Sequence, residues 1–518
     1  MKRMALFCAT VTTVLLLMAC LQSATAQTGG KVDRPVSGGT LQVAVLTEPT
    51  TQLSYEIRAT QDVAFASFTL ETLLNYDENG KPQPWLLESI TGDPEKKIYT
   101  LKVRKGIKFT DGTDLNADTV KWNLDIYKNK GVLSTSFYSL MESTEKVDDY
   151  TVLVRMSSWD SLFPYALARS CVIASKQAYE TKGEAWCRQN PVGTGPFILK
   201  TWEHGVGLSY VKNPGYWKGT PYLDGVRCTI YSNELVMQAA MLTGELQVMQ
   251  TMDVKLAESM KAKGFNVNKS SVPARADTIC FNASDPKDPF NDVRVRQAAS
   301  YAIDKKAIID TVYKGYGIDS NQWSVKNSTY YNEAISGYPY NPQKAKELLT
   351  QAGYPNGFNT KITLPSQTLL KDTAQVVAEQ LAKIGIRAEI RAIEEAAYPK
   401  YIGGWEQGML LHPMGMANGA ASQIAANFVQ GLKAGLGIVS FIHPDDVHKL
   451  IVEARSAAPE TSLKKFKDVE KLIFDDYCMI KTIFIIPTIG IESPKLRDGG
   501  YCQVVSGMHT FYKAWLEK

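Results

Sequence analysis

Four residues in the last quarter of the chain have side chains of the types that line a site for a small ligand. Trp405, His412, Met414 and Asn418 combine an apolar wall with a few polar groups within one irregular stretch. Sites for small molecules in proteins have this composition. The alternative is a loop that packs on its own domain, and the sequence leaves both interpretations open.

Two further residues are candidates for ligand contact. Trp323 lies in the polar segment NQWSVKN, where its large ring has no obvious helical or strand pattern to join. Arg275 carries a guanidinium, which can bind a ligand carboxylate through two parallel hydrogen bonds. A salt bridge at the surface or at a hinge is the alternative for Arg275.

The chain lacks the short motifs of the common enzyme classes. GxSxG, HExxH, GxxxxGK[ST] and CxxC are all missing, and the glycines of Gly193-Thr194-Gly195 lack the third glycine of a dinucleotide-binding loop. Among five histidines the one close pair is His443 and His448, whose spacing fits the start of a helix better than a metal site. We therefore expect neither catalysis, nor a metal, nor a cofactor.

Composition restricts the class of protein further. The 518 residues carry a net charge of +4, and the basic residues are scattered without long runs, which argues against a nucleic-acid surface. The content of 44% hydrophobic and 21% charged residues is ordinary for a globular protein. The length exceeds what one hydrophobic core usually holds, so two or three lobes are expected.

The first 26 residues have the pattern of an export signal. Lys2 and Arg3 precede an apolar run, and the segment ends in the small residues Ala24-Thr25-Ala26. Cleavage after Ala26 is one interpretation, and lipidation at Cys20 within Leu-Met-Ala-Cys is the other. Either processing route predicts a protein that works outside the cytoplasm, in the periplasm or on the outer face of the membrane.

Six cysteines remain beyond the signal segment, and an even number in an exported chain permits disulfides. Cys171 and Cys187 flank a loop before Pro191 and are the preferred bridge. Buried free thiols are the alternative for the other four.

Helix and strand patterns alternate along the chain, which predicts α/β lobes. Pro289 to Gly315 is predicted as one helix, because Asn291 or Asp292 can cap its start and its apolar residues recur at roughly helical spacing. The polar and glycine-rich residues 27–38 form a flexible lead-in. Further strands are predicted at 40–46, 98–103, 107–109, 149–156 and 193–200, and further helices at 64–74, 118–127, 341–352 and 373–384.

Several distinctive segments occur in an order that resembles one family, the dipeptide-, oligopeptide- and nickel-binding extracytoplasmic solute-binding proteins of ABC importers. The resemblance extends from about residue 39 to 395 and rests on the combination, because no single segment would suffice. The segments are LLNYD (73–77), GKPQPWLLES (80–89), LKVRKGIKFTDGT (101–113), NPVGTGPF (190–197), NPGYW (213–217), YLDG (222–225), the helix 289–315, YNPQKA (340–345), AGYPNGF (352–358) and QLAKIGI (380–386).

The resemblance implies a type II periplasmic-binding-protein clamshell, with two lobes and an extra inserted domain that close on a buried ligand. Residues 39–62, 195–278 and 491–518 would form lobe I, 63–194 the inserted domain and 279–490 lobe II. Most of the quoted segments are expected to serve architecture. Gly193 and Gly195 would allow close backbone approach, and Arg294, Arg296 and Asp304 would form fixed ion pairs.

One loop departs from the family pattern. Peptide binders of the family carry an acidic residue there that pairs with the peptide amino group, whereas residues 411–419 of this chain, LHPMGMANG, contain no carboxylate. A buried ammonium without a partner is costly. An ordinary peptide would therefore need a carboxylate from elsewhere, and Glu48 or Glu406 could supply it.

The resemblance predicts the substrate-binding subunit of an ABC importer, acting as a monomer. It would trap a peptide-like or other small polar solute and deliver it to a membrane permease, whose partner ATPase supplies the free energy. The alternatives are a binding protein for an oligosaccharide, an opine or a metal chelate, and a sensory or chaperone-like receptor on the same fold.

Overall fold

The computed structural model describes residues 34–57, 60–77, 79–132, 135–394, 396–415, 419–431, 436–500 and 510–517. The signal segment with Cys20, most of the lead-in, Asn418 and Cys502 lie outside these described residues. None of the described helices has the length and apolar character needed to cross a membrane.

The strands form one sheet of ten strands, one of four, and three small two-stranded sheets within the described residues. The strands are β1 (Thr40–Val45), β2 (Glu71–Thr72), β3 (Leu74–Tyr76), β4 (Pro82–Pro84), β5 (Leu87–Asp93), β6 (Ile98–Val103), β7 (Met141–Asp148), β8 (Thr151–Met156), β9 (Val172–Ile173), β10 (Phe197–Glu203), β11 (Gly207–Lys212), β12 (Gly225–Ile230), β13 (Val248–Thr251), β14 (Asn266–Phe281), β15 (Phe358–Pro365), β16 (Ile386–Ile393), β17 (Met409–Gly415), β18 (Ile480–Glu492), β19 (Leu496–Arg497) and β20 (Trp515–Leu516).

Helices cover both halves of the molecule, and short 3₁₀ turns at Ser54–Glu56 and Pro289–Asn291 and a π turn at Leu472–Asp476 join them. The α-helices are α1 (Thr60–Ala66), α2 (Ala117–Lys130), α3 (Thr135–Tyr138), α4 (Phe163–Arg169), α5 (Lys176–Lys182), α6 (Glu184–Cys187), α7 (Glu234–Thr243), α8 (Val254–Ala262), α9 (Val293–Ala302), α10 (Lys305–Thr311), α11 (Pro342–Gln351), α12 (Thr368–Ala382), α13 (Pro399–Ile402), α14 (Gly419–Phe428), α15 (Asp445–Ser456) and α16 (Pro459–Lys471).

Two long strands join the two halves of the ten-stranded sheet. The strand order is β10-β11-β12-β1-β13-β18-β14-β17-β15-β16. β14 has 16 residues and β18 has 13, and they pair antiparallel along their length. The register shifts on both sides of Pro273, which faces Pro487, and proline has no N–H to donate to the ladder. Both predicted lobe boundaries, at 278/279 and 490/491, fall within these two strands.

The single helix predicted over 289–315 is wrong, because the structure divides it. A 3₁₀ turn is followed by α9 and then α10, with the break at Ile303 and Asp304. The Asp304 carboxylate accepts a hydrogen bond from the N–H of Ala307 and so caps a new helix. The expected ion pairs are also only partly present, since Arg294 pairs with Asp292 but Arg296 donates to main-chain carbonyl oxygens.

The other local expectations fare unevenly. The predicted strands at 40–46, 98–103 and 149–156 and the helices at 118–127, 341–352 and 373–384 are confirmed as β1, β6, β8, α2, α11 and α12, and β10 starts at Phe197 rather than at 193. The helix predicted at 64–74 is wrong in its second half, where β2 and β3 form. The strand predicted at 107–109 is reduced to one isolated bridge between Lys108 and Asp114.

Four donors surround the carboxylate of Glu71, at the predicted border between the inserted domain and lobe I. It accepts hydrogen bonds from Trp85 Nε1, Tyr216 OH and Trp217 Nε1, each at 2.9 Å, and from Thr194 Oγ1 at 2.7 Å. Glu71 itself is only 5% exposed. We name these five residues the Glu71 hub. It explains three of the quoted segments as architecture, because PWLLES, GTG and NPGYW each supply donors to one buried acceptor.

The close approach expected at the GTG segment is confirmed. A Cβ atom on Gly193 would lie 2.0 Å from the carbonyl oxygen of Thr69, and one on Gly195 would lie 2.6 Å from that of Phe68. No side chain fits in either space, so glycine is required at both positions.

The predicted disulfide between Cys171 and Cys187 is not formed, and both thiols are free and buried. The two side chains belong to different surroundings. Cys171 lies beside the buried rings of Tyr127 and Tyr138, whereas Cys187 lines a small cavity together with Trp122. Cys228, Cys280 and Cys478 are also free and buried, in agreement with the alternative of buried free thiols.

Candidate functional site

Arg275 lies on β14 at the boundary between the two halves of the sheet, and its side chain is 12% exposed. Its Nε lies 2.7 Å from Oδ1 of the fully buried Asp277, and Nη2 donates to Oδ2 at 3.0 Å. Nη1 makes only long contacts within the described residues, to Met252 Sδ at 3.7 Å and Gln367 Oε1 at 3.4 Å. The structure therefore forms the hinge salt bridge that was the alternative for Arg275, and it leaves one guanidinium nitrogen weakly engaged.

His412 lies on β17 directly opposite Thr278 of β14, so it faces the same boundary. Its Nδ1 lies 2.8 Å from the hydroxyl of Tyr398. Burial, with a smaller contribution from the Arg275 charge, lowers the pKa of His412 to about 4. The imidazole is therefore neutral at physiological pH and can offer a ligand a hydrogen bond but no charge.

Met414 joins this boundary, whereas the two predicted tryptophans lie in the core of lobe II. Met414 pairs with Ala276 of β14 and is 5% exposed. The Trp405 ring packs on Phe441, and the Trp323 ring contacts Phe428 and Phe474. These contacts account for the burial of both indoles without a ligand, so ligand contact by either ring stays a prediction.

Glu48 has a different role from the one considered in the sequence. Its Oε1 accepts from Trp202 Nε1 and lies 2.6 Å from His204 Nδ1, while Oε2 accepts from the N–H of Gly205 at 3.1 Å. The hydrogen bonds from these groups lower the pKa of Glu48, although desolvation opposes them. The carboxylate thus fixes the β10–β11 turn and is already fully engaged. Glu406, the other alternative, is 80% exposed and pairs loosely with Arg391 at 3.8 Å.

Sequence reasoning missed Arg169, which is the last residue of α4. Its half-buried guanidinium makes no hydrogen bond or ion pair within the described residues. Burial lowers its pKa, and the nearest groups that interact with its charge are the phenols of Tyr76 and Tyr138. The adjacent helix C-terminus favours a cation but does not neutralise it. A partly buried positive charge without an anionic partner among the described residues is unusual in a folded protein, which makes Arg169 a candidate binding residue.

Tyrosine side chains connect this position to residues of the predicted lobe II. The Tyr76 hydroxyl donates to the carbonyl oxygen of Tyr165 at 3.0 Å, and the Tyr165 ring lies 6.0 Å from that of Tyr330. Burial raises the pKa of Tyr165 to about 12, so its hydroxyl stays protonated, and this hydroxyl shares a hydrogen bond with that of Tyr330. We name Tyr76, Tyr165, Arg169 and Tyr330 the tyrosine junction.

Glu470 lies near this junction, since its charge acts on the Tyr330 phenol. It is 1% exposed, and its Oε1 accepts from Ser324 Oγ at 3.4 Å. Its Oε2 and the Nε1 of Trp323 have no hydrogen-bond partner among the described residues. Burial raises the pKa of Glu470 well above that of an ordinary carboxyl group and so favours its protonated form.

His443 and His448 flank the start of α15, where the sequence predicted a helix. His448 Nδ1 accepts from the N–H of Gln430 at 3.0 Å, and the carbonyl oxygen of His443 accepts from Gln430 Nε2 at 2.8 Å. Both residues therefore hold a neighbouring loop.

Comparison with known proteins identifies the family. The model of bacterial extracellular solute-binding proteins, family 5, middle region, matches residues 81–435. The chain belongs to this family. Among curated relatives, the family 5 chain is similar to the glutathione-binding protein GsiB of Escherichia coli O1:K1, with 32% identity over 358 residues, which cover 68% of this chain and 69% of the relative.

Solved structures share the fold of this family 5 protein. HbpA2 from Haemophilus parasuis has a TM-score of 0.79 at 25% identity, over 93% of this chain and all of the other. The oligopeptide-binding protein AppA from Bacillus subtilis, solved with a nonapeptide, has a TM-score of 0.73 at 24% identity, over 94% of this chain and all of the other. The type II periplasmic-binding-protein fold predicted from the sequence is confirmed.

Family membership also decides the general function. The protein is the substrate-binding subunit of an ABC importer, works outside the cytoplasm with permease and ATPase subunits as partners, and is not an enzyme.

Proposed function

We propose that this subunit binds a small peptide-like solute through a carboxylate that pairs with Arg169. The observation that carries the proposal is the enclosed guanidinium of Arg169, which has no ion-pair partner within the described residues. A ligand carboxylate would supply the missing charge and accept two of its N–H groups.

The surrounding groups favour an anionic ligand over a cationic one. Tyr165 and Tyr330 offer hydroxyl groups and aromatic faces, and the stretch 411–419 offers no carboxylate for an ammonium group. The weakly engaged Nη1 of Arg275 is a second donor at the lobe boundary. An electropositive site of this kind fits a peptide whose acidic groups dominate its recognition.

The relatives support a peptide-like ligand. GsiB is named for glutathione, a tripeptide with two carboxylates, and AppA was solved with a nonapeptide. Glutathione is therefore the first ligand to test, followed by tripeptides with a free and with an amidated C-terminus.

Calorimetric titration of the purified protein tests the proposal. We expect glutathione or a free tripeptide to bind, and we expect amidation of the carboxylate or the change Arg169→Gln to weaken that binding about 100-fold. Arg155→Gln is the control, because Arg155 lies on the exposed face of β8 and pairs with Glu145. Equal affinity for the acid and its amide, or unchanged affinity in Arg169→Gln, would refute the carboxylate contact.

The finer sequence predictions extend this proposal. We infer a monomer that is either released by cleavage after Ala26 or tethered through a lipid on Cys20, and we retain the division into lobe I, inserted domain and lobe II. Residues Glu48, Arg275, Trp323, Trp405, His412, Met414 and Asn418 stay candidates for ligand contact. The mass of the mature N-terminus distinguishes the two forms, and light scattering measures the oligomeric state.

A further inference from the structure

One loop of the inserted domain reaches across to lobe II, away from the residues proposed to hold the ligand. The loop precedes α4, and it contacts the turn between α15 and α16. In the proposed clamshell the loop belongs to the inserted domain and the turn belongs to lobe II. Any motion that opens the clamshell must therefore separate the two segments.

The contact is an ion pair surrounded by hydrogen bonds. Arg455 donates to Asp160 Oδ2 through Nη2 at 2.5 Å and through Nε at 3.2 Å. The Ser161 N–H donates to the carbonyl oxygen of Arg455 at 2.8 Å, and its hydroxyl lies 2.7 Å from that of Ser462. Trp159 Nε1 donates to the carbonyl oxygen of Ala457 at 3.1 Å.

The contact is also largely sheltered from water. The Asp160 side chain is 1% exposed and that of Arg455 is 27% exposed. The next residue but one, Leu162, is 1% exposed and packs within the hydrophobic cluster of lobe II, which contains Phe466 and Ile451. Sheltered ion pairs are weakened less by salt than surface pairs, and losing one partner of such a pair costs more.

The same loop fixes the helix that carries Arg169. Asp160 Oδ1 accepts from the N–H of Leu162 at 3.0 Å at the start of α4. α4 has seven residues, from Phe163 to Arg169, and Tyr165 in its first turn faces Tyr330 of the predicted lobe II. One short helix thus has the lobe II contact at its start and the candidate ligand position at its end.

We propose that Asp160, Ser161, Arg455 and Ser462 form an interlobe clasp that stabilises the closed state independently of the ligand. The four residues of the clasp make no contact with the proposed ligand position. The clasp acts only by increasing the fraction of molecules that are closed, and the affinity for every ligand rises by that same factor. This inference rests on the proposed clamshell division, and it goes beyond the proposed carboxylate contact.

The variant Arg455→Met tests the clasp, with Arg155→Met as the matched control at an exposed ion pair. Small-angle X-ray scattering of the ligand-free protein should show a larger radius of gyration for Arg455→Met and no change for the control. Titration with glutathione and with each other ligand that binds should show about tenfold weaker affinity for all of them.

Two further variants keep the test informative if Arg455→Met folds poorly. The double variant Asp160→Asn with Arg455→Met removes both charges, so no unpaired charge stays buried. The variant Ser462→Ala removes one hydrogen bond and leaves the ion pair intact. We expect the double variant to open the ligand-free protein and Ser462→Ala to weaken binding by a smaller factor.

Unchanged scattering together with unchanged affinities in the double variant would overturn the clasp and show that the inserted domain and lobe II form one rigid unit. A loss of affinity confined to carboxylate ligands would also overturn it, because the loop would then act by positioning Arg169. Failure of every peptide to bind would refute the proposed ligand class and leave the scattering test of the clasp intact.

Discussion

Two regions of the molecule pair their buried polar groups to different extents. The Glu71 hub places four donors on one buried carboxylate. The tyrosine junction contains Arg169, for which the described residues supply no anionic partner, and the neighbouring Glu470 has an Oε2 to which no described group donates a hydrogen bond.

The completeness of pairing distinguishes a fixed contact from a surface that can bind a ligand. Buried polar groups in folded proteins are normally satisfied, and a complete set of partners gives a stable and specific contact. Groups left without partners in a closed protein raise its free energy unless another molecule supplies the missing contact. The hub therefore makes a fixed contact, and the junction is the region where we propose that a ligand binds.

Glu71→Ala should have the largest effect on stability. It leaves four buried donors without an acceptor, so we expect the free energy of unfolding to fall by about 4 kcal/mol. Urea denaturation followed by tryptophan fluorescence measures the loss. The exposed Glu88→Ala, on the neighbouring strand β5, is the control. A loss equal to that of the control would mean that the hub adds nothing to this contact.

His412 gives the next largest expected effect, and it depends on pH. The pKa of His412 is lowered to about 4 in the folded state, so between about pH 6.5 and 4 the unfolded chain binds more protons and stability falls as pH falls. We expect this group to remove about 3 kcal/mol across that window. His412→Gln should flatten this part of the profile. Parallel profiles for wild type and His412→Gln would contradict the burial of a neutral imidazole.

Glu470 should show the opposite slope. Burial raises its pKa, so the folded state holds its proton longer, and stability falls as pH rises from about 4.5 toward the raised pKa. Glu470→Gln should therefore be more stable than wild type at pH 8, and this gain should disappear as the pH falls to 4. Glu460→Gln, exposed on the same helix, serves as the control. A gain that persists at pH 4 would show that charge is not the cause.

Arg169→Met should have the smallest effect on stability and the reverse sign to Glu71→Ala. Removing an enclosed charge without a partner should raise the free energy of unfolding by about 1 kcal/mol in the ligand-free protein. The same variant should lose the stabilisation that a bound ligand gives to wild type, as measured by the shift in melting temperature. Destabilisation of the ligand-free protein would show that Arg169 has a structural partner and would remove the contrast with the hub.

Local pattern predicted most elements of the fold, and tertiary contacts decided the exceptions. β1, β6 and α2 follow from alternation and helical periodicity. The prediction of one helix over 289–315 was wrong because Asp304 caps a second helix. In the sequence, a capping residue within an apolar pattern cannot be distinguished from any other polar residue. The pairing of β14 with β18 joins residues more than 200 positions apart, which no local signal reports.

The candidate site was harder to predict because burial and pairing are properties of the fold. Arg275, His412 and Met414 meet at one boundary, since β14 and β17 are neighbours. Arg169 has no distinguishing sequence signal, because its importance lies in the absence of a nearby anion among the described residues. Trp405 and Trp323 stood out by type, but large apolar rings in a chain of this size usually pack in a core.

The sheet order also constrains how the protein is assembled after export. One hydrophobic core packs Leu41 and Phe68 against Phe511 and Ala514, which come from distant parts of the sequence. A chain that crosses the membrane from its N-terminus delivers Phe511 long after Leu41, so the core that begins with the first strand cannot be completed until Phe511 has emerged. The residues predicted to form lobe II are consecutive and can fold while this core is still incomplete, so folding helpers outside the cytoplasm would meet the N-terminal strands in an unfinished state.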